Sequence, residues 1–267
     1  MAKHSPWQRL SAWSRRFADH APLRWIVTIN LGDGDWDRKA AMLTRLAHVG
    51  FKVICCQEGS DRQVQLLHWC QKNGFIYYPG NGSLGAAAVP ILVHKSQTIQ
   101  SKGTIEAHDS ANAGPEGAGP NVVKRKVINW VRLAGGWHID NTHLVASSSY
   151  AQRRRPLYRR HIEAARRWLS SKRCSVVFVG DFNAEASYSY LAPLRRFLTQ
   201  HVKAPTFDKR TIDLIWTKGC YVVKVVVLDV ASDHNAAGVV VTKTKKRWNR
   251  LSVEKDFQPA EVEVLTT

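Results

Sequence analysis

SVVFVGDFN, residues 175–183, is a continuous apolar run that ends in Gly-Asp-Phe-Asn. The run is too short for a buried helix and rich in β-branched and aromatic residues, so it predicts a strand covered on both faces. Its polar residues are delivered together where the strand stops. A buried strand that ends by presenting an acid and an amide suits a sheet carrying a site along one edge.

The same design recurs on both sides of it. IVTIN (26–30) ends in Asn30, KVICCQE (52–58) ends in Gln57 and Glu58, and WHIDNTHLV (137–145) carries His143. TIDLIWTKG (211–219) holds Asp213 near its start, and AAGVVVTK (236–243) follows directly on Asp233 and His234. AAAVPILVH (86–94), VVKRKVINWVRL (122–133) and VVKVVVLD (222–229) complete the predicted strands. Between them, Asp37 is placed to cap a helix through Val49, with Met42, Leu43, Leu46 and Val49 on its apolar face and Gly50 as its stop. A second helix is expected from Asp61, with Val64, Leu67 and Cys70 facing inward. A third, over 151–171, is crowded with arginine, and a fourth lies around 187–200. Residues 107–120, rich in Ala, Gly and Pro, predict a flexible loop. The simplest architecture is one α+β domain over 25–243, preceded by a basic arm (1–24) and followed by a flexible tail (244–267).

Charge narrows the partners. Lys and Arg total 39 against 21 Asp and Glu, a formal +18. Such an excess favours polyanions through long-range attraction, with nucleic acid first and an anionic membrane surface second. The arginine-rich helix is a candidate for gripping a phosphate backbone, although its arginines fall on several sides. The five cysteines are odd in number and include no Cys-x-x-Cys pair, so neither a disulfide framework nor a zinc site is indicated, and a reducing intracellular compartment is expected. No apolar run approaches the roughly 18 residues of a membrane-spanning helix. The first residues lack the apolar core of a secretory signal.

Carboxylates and amides gathered at strand ends suit a hard divalent cation, which prefers oxygen ligands and keeps several waters. Histidines among them are the groups that move protons near neutral pH. Phosphodiester hydrolysis requires both. GDFNAEA (180–186), CQE (56–58), NTHL (141–144), TIDLIW (211–216) and SDHNA (232–236) also stand in the order and approximate spacing of the endonuclease/exonuclease/phosphatase superfamily, and residues 25–243 resemble it. The resemblance implies a DNase I-like fold, a four-layer α/β/β/α sandwich of two mainly antiparallel sheets flanked by helices. It implies a nuclease using Mg²⁺ or Mn²⁺ on nucleic acid, with DNA favoured. The alternatives are a phosphatase or lipid phosphodiesterase of the same superfamily, or a binding protein with a decayed site.

The resemblance also assigns roles. Glu58 matches the metal-ligand glutamate, with Asn30 and Asp233 completing or supporting that site. Asp181 and Asn183 match the pair that orients the attacking water and the phosphate, and His234 the histidine beside the phosphate. Asp213 or Asp233 is the carboxylate that would fix the tautomer of His234. His143 matches a second histidine of the deoxyribonuclease branch. That branch supplies an acidic partner from an earlier strand, but no Asp or Glu occurs between Asp61 and Glu106.

Overall fold

The computed structural model describes residues 7, 8, 10–12, 23–32, 34–81, 86–108, 126–145, 151–230, 232–243 and 263–265. These form two mixed, mainly antiparallel sheets with helices on their outer faces. The first sheet holds β1 (Arg24–Asn30), β2 (Val53–Gln57), β3 (Phe75–Tyr78), β4 (Ile91–His94), β11 (Tyr221–Leu228), β12 (Ala236–Thr242) and β13 (Glu263–Leu265), in the order β13-β11-β12-β1-β2-β4-β3. The second holds β5 (Ile99–His108), β6 (Lys126–Leu133), β7 (Trp137–His143), β8 (Ser175–Asp181), β9 (Thr199–Gln200) and β10 (Asp213–Lys218), in the order β5-β6-β7-β8-β10-β9. This is the α+β sandwich that the sequence implies.

Side-chain alternation builds the layers, because successive residues of a strand face opposite ways. Ile26 of β1, Val53 and Cys55 of β2, and Val225 and Val227 of β11 point between the sheets. There they meet Ile139 of β7, Val177 and Val179 of β8, and Ile215 of β10. The alternate residues Val27, Ile29, Ile54 and Cys56 pack outward against Leu43 and Leu46 of α1 (Trp36–Val49) and Trp69 and Cys70 of α2 (Gln63–Asn73). On the far side, Val176, Phe178, Leu214 and Trp216 meet Tyr158, Ile162, Ala165 and Leu169 of α3 (Ala151–Ser170) and Leu194 of α4 (Ala192–Arg195). Truncating a fully buried leucine such as Leu43 or Leu46 in such layers costs about 2–5 kcal/mol.

Two βαβ units set the position of the site. β1 runs parallel to β2 through α1, and β7 runs parallel to β8 through α3. Parallel neighbours end on the same edge, and β1 and β2 lie against β8 across the interface. β10, antiparallel to β8, starts at that edge, with Asp213 opposite Asp181.

Several local expectations are corrected. The inward face of α2 is Leu66, Trp69 and Cys70; Val64 and Leu67 are exposed. A short 3-10 turn at Ser60–Arg62 delays the start of the helix to Gln63. The fourth helix is only Ala192–Arg195 after a 3-10 turn, and Thr199–Gln200 pairs instead as a strand with β10. β3 and β5 were not expected at all. The run 86–94 begins with a 3-10 turn and becomes a strand only at Ile91. The loop expected over 107–120 lies outside the described residues except for 107 and 108, which end β5. Within the tail, Glu263–Leu265 pairs in parallel with β11; the rest of 244–267 lies outside the described residues. In the arm, Trp7 and Leu10 are buried in the cluster that includes α1, and most of 1–24 is likewise outside. All five cysteines are free thiols. Among the described residues no helix is long and apolar enough to cross a membrane.

Candidate active site

Asn30 is the hub. It ends β1, is 1% exposed, and donates from Nδ2 to Glu58 Oε1 at 3.0 Å and to Asp181 Oδ2 at 3.1 Å. One amide therefore joins a carboxylate of the first sheet to one of the second. Its Oδ1 accepts the Gly32 N–H at 2.9 Å, which fixes the amide's orientation. Lys39, buried on α1, donates to the Leu31 and Gly32 carbonyls and anchors the turn that follows.

Glu58 stands just past β2 in the left-handed conformation, φ +57°, an unusual choice for a non-glycine residue that turns its side chain out of the strand. That side chain is 43% exposed, whereas Asp181 is 2% exposed. Behind Glu58, the buried Gln57 donates to Asn141 Oδ1 at 2.6 Å, and Asn141 donates to the Cys56 carbonyl at 2.8 Å, a polar tie between the two sheets beneath the site.

Asp181 reaches its position because of Gly180. The φ of Gly180 is +147°, and a Cβ there would lie 2.0 Å from the Thr142 carbonyl oxygen. Only glycine permits this approach of β7 and β8. It sets His143 opposite Asp181, with Nε2 3.6 Å from Asp181 Oδ2 and 3.9 Å from Glu58 Oε1. The missing acidic partner of His143 is thus replaced by looser contacts to the site's own carboxylates. Burial, then the charges of Lys126, His234 and His161, hold the His143 pKa well below the ordinary histidine value, so the ring is neutral. Asn183, at φ +50°, donates its N–H to Asp181 Oδ1 at 2.7 Å and its amide to the Leu144 carbonyl at 3.1 Å.

Asp213 opens β10 and is fully buried; its Oδ2 lies 2.8 Å from His234 Nδ1. Asp233, the rival for that contact, is exposed and lies 3.1 Å from Ser232 Oγ. Ser232 Oγ donates to the Asn30 carbonyl at 2.9 Å, tying the Ser-Asp-His turn to the end of β1. Thr206 accepts the Asp213 N–H at 2.9 Å, and the Phe207 ring leans on His234 at 4.5 Å. Ser232 was inside a recognised motif. Gln57 likewise stood inside the CQE motif, whereas Thr206, Phe207 and Lys39 carried no periodic or motif signal, since their roles depend on turns and on contacts between elements.

The electrostatics follow from crowding. Burial, then the charge of Asp213, push the Asp181 carboxyl up to about 7, against the opposing pull of His234 and the donors Asn183 and Asn30. Burial also raises Asp213, although its hydrogen bond to His234 works the other way. For His234, burial alone would lower the pKa; the bond to Asp213 and the charges of Asp213, Asp181 and Asp233 outweigh it and raise it. Among the described residues, no lysine or arginine pairs with Glu58, Asp181, Asp213 or Asp233. The oxygen-rich, cation-poor cluster fits a divalent metal ion. Two groupings could hold one: the rim of Glu58, Asn30 and Asp233, or the buried Asp181, Asp213 and His234, whose ligand atoms lie within 4.8 Å of one another.

A sequence model of the endonuclease/exonuclease/phosphatase family matches residues 11–234. The chain belongs to this family. Members of the family are hydrolases, either phosphodiesterases or phosphatases. Family folds among solved structures agree with this membership. A mannosyl-6-phosphatase of Bacteroides thetaiotaomicron superposes with a TM-score of 0.64 at 14% identity, over 82% of this chain and 99% of that one. D. rerio TDP2 in complex with a single-strand DNA product gives 0.64 at 14%, over 83% and 99%. The human Nocturnin catalytic domain with a bound sulfate gives 0.60 at 16%, over 84% and 95%. At these identities the likeness shows the family fold alone. No curated protein matches the chain.

Proposed function

We propose that this family member is a divalent-metal-dependent nuclease that hydrolyses phosphodiester bonds in DNA. The observation that carries the reading is the joining of Glu58 and Asp181 through one Asn30 amide, beside a histidine held by a buried aspartate. The net charge of +18 supports a polyanionic substrate over a small phosphate. TDP2, which carries the same fold, binds a single-strand DNA product, and this is compatible with such a substrate.

Glu58, Asn30 and Asp233 are the residues assigned to the metal, because Glu58 and Asp233 are accessible and present oxygen. A bound Mg²⁺ or Mn²⁺ would neutralise charge on the phosphate's non-bridging oxygens. His234, with its Nδ1 engaged by Asp213 and its pKa raised, offers Nε2–H to the phosphate. Asp181, pushed up to about 7, accepts a proton from the attacking water more readily than an ordinary carboxylate, and Asn183 fixes its geometry. The neutral His143 is assigned to orienting the substrate beside Asp181.

The test is cleavage of supercoiled plasmid with Mg²⁺, with Mn²⁺ and with EDTA, beside Asp181→Ala and His234→Ala. Metal-dependent nicking lost in both variants is expected. Turnover of sugar phosphates or phosphorylated lipids with an intact plasmid would transfer the site to the phosphatase or lipid branch. Binding without turnover on any substrate would make it a binding protein.

A further inference from the structure

The N-terminal half of α3 lies beside the loop that carries Asp181 and Asn183. Tyr158, buried on this helix, donates its hydroxyl to the Phe182 carbonyl at 3.0 Å, between the two site residues. The segment that follows returns over the same tyrosine: Tyr188 packs on it edge-on at 6.0 Å, Tyr190 tilts against it at 6.1 Å, and Tyr188 and Tyr190 meet at 5.1 Å. Arg195 pins this loop by donating to the Ala186 and Tyr188 carbonyls. Tyr188 and Tyr190 remain partly exposed.

Arginine borders this cluster. Arg159 places its guanidinium over the Tyr190 ring at 4.8 Å, and Arg155 stands one turn away on the same side of the helix. Both are exposed. Further along, Glu163 pairs with Arg166 at 2.6 Å and approaches Arg167 at 4.0 Å, so that end of the helix is partly neutralised. Among the described residues no carboxylate pairs with Arg155 or Arg159. The tyrosines are held against the arginine-bearing helix by Tyr158, whose hydroxyl bonds the Phe182 carbonyl beside Asp181 and Asn183.

We propose that Arg155, Arg159, Tyr188 and Tyr190 form the platform on which single-stranded DNA lies as it enters the site, a proposal that rests on the nuclease reading above. Arginines spaced along a helix edge meet successive phosphates, and aromatic rings take unpaired bases by stacking, which a closed duplex cannot offer. Because the loop is held by Arg195 and the Tyr158 cluster, the rings are set before the strand arrives.

Fluorescein-labelled oligothymidylate, and a hairpin duplex of equal phosphate count, are titrated in EDTA at several salt concentrations. Arg155→Ser/Arg159→Ser is expected to weaken both and to lower the salt slope by roughly 1 to 1.5 for the single strand. Tyr190→Ala is expected to weaken oligothymidylate about 5-fold or more while leaving the duplex unchanged, with Tyr190→Phe binding as the parent does. Thermal unfolding midpoints and circular dichroism of all three should match the parent's, which shows that they fold. Parent-like oligothymidylate binding in these variants overturns the platform, as does a parent protein that prefers duplex or oligouridylate. Retention on phosphatidylserine vesicles instead of oligothymidylate, lost in the double variant, also overturns it. Loss of binding in the variants of a protein that cleaves nothing supports the platform and overturns the nuclease reading alone.

Discussion

Asp181 and Asp213 face each other across two antiparallel strands, and only one of them has a hydrogen-bonded cation-forming partner. Asp181 therefore carries the electrostatic cost. Its folded pKa is about 7 against an ordinary 3.8, so its favourable contribution is complete below about 4 and is lost as pH rises through 7. In EDTA at pH 8 it is a buried charge whose donors Asn30 and Asn183 and neighbour His234 only partly offset its burial and the charge of Asp213. Asp181→Asn should then be more stable than the parent by on the order of 1–3 kcal/mol at pH 8, with the gain vanishing near pH 4. Thermal unfolding from pH 4 to 8 checks this, and a gain independent of pH would refute it. Asp213→Asn acts in the other direction on its neighbour. With the carboxylate gone, the His234 pKa should fall toward or below the ordinary histidine value, a shift readable by NMR titration of the ring. Activity should drop about 10²- to 10⁴-fold, the usual worth of proton transfer or of an oriented imidazole. An unchanged His234 titration in this variant would show that Asp213 does not govern the ring.

At the scale of elements, the site depends on how closely β7 and β8 approach. Gly180→Ala places a methyl against the Thr142 carbonyl at a φ that favours glycine, so it should cost more than about 2 kcal/mol and separate His143 from Asp181. Denaturant titration measures the cost; a loss under 0.5 kcal/mol would mean the strands part there with ease. The strands that end in site residues were legible in the sequence, because β1, β2 and β8 are apolar runs punctuated by Asn30, Gln57-Glu58 and Asp181, and β7, though mostly polar, carries the Asn-Thr-His-Leu motif with His143 at its end. β5 was not legible. Ile99–His108 mixes Gln, Ser, Lys and Glu with few apolar residues, as an edge strand does, and pairing rather than pattern makes it a strand. α2 was found but turned wrongly: Leu66, Trp69 and Cys70 also stand at helical spacing, and packing against the first sheet selects that stripe over Val64 and Leu67. The segment 187–200 read as helix on composition, yet Thr199 and Gln200 find β10 as a partner, and tertiary pairing overrides a weak local preference. The choice between Asp213 and Asp233 as partner of His234 could not be made from sequence, since it turns on β10 starting opposite the end of β8.

For the whole molecule, the sandwich brings residues of separate sheets to one cation-poor cluster: Glu58 and Asn30 from the first, Asp181 from the second, and Asp233 from the turn before β12. A cation bound there would link the two halves and would relieve their mutual repulsion. It should stabilise the folded chain by mass action, about 2.7 kcal/mol at a Mn²⁺ concentration of roughly 100 times Kd. For a chain of this size that amounts to a rise in Tm of roughly 5–10 °C. Calorimetry with and without Mn²⁺ reads it, and no shift at any concentration would argue against a metal enzyme. The variants locate the ion. Glu58→Gln should remove most of the shift if the accessible rim holds the metal. A shift that survives Glu58→Gln and disappears in Asp213→Asn would place the cation in the buried group of Asp181, Asp213 and His234. His234 would then be a ligand rather than the group that donates to the phosphate.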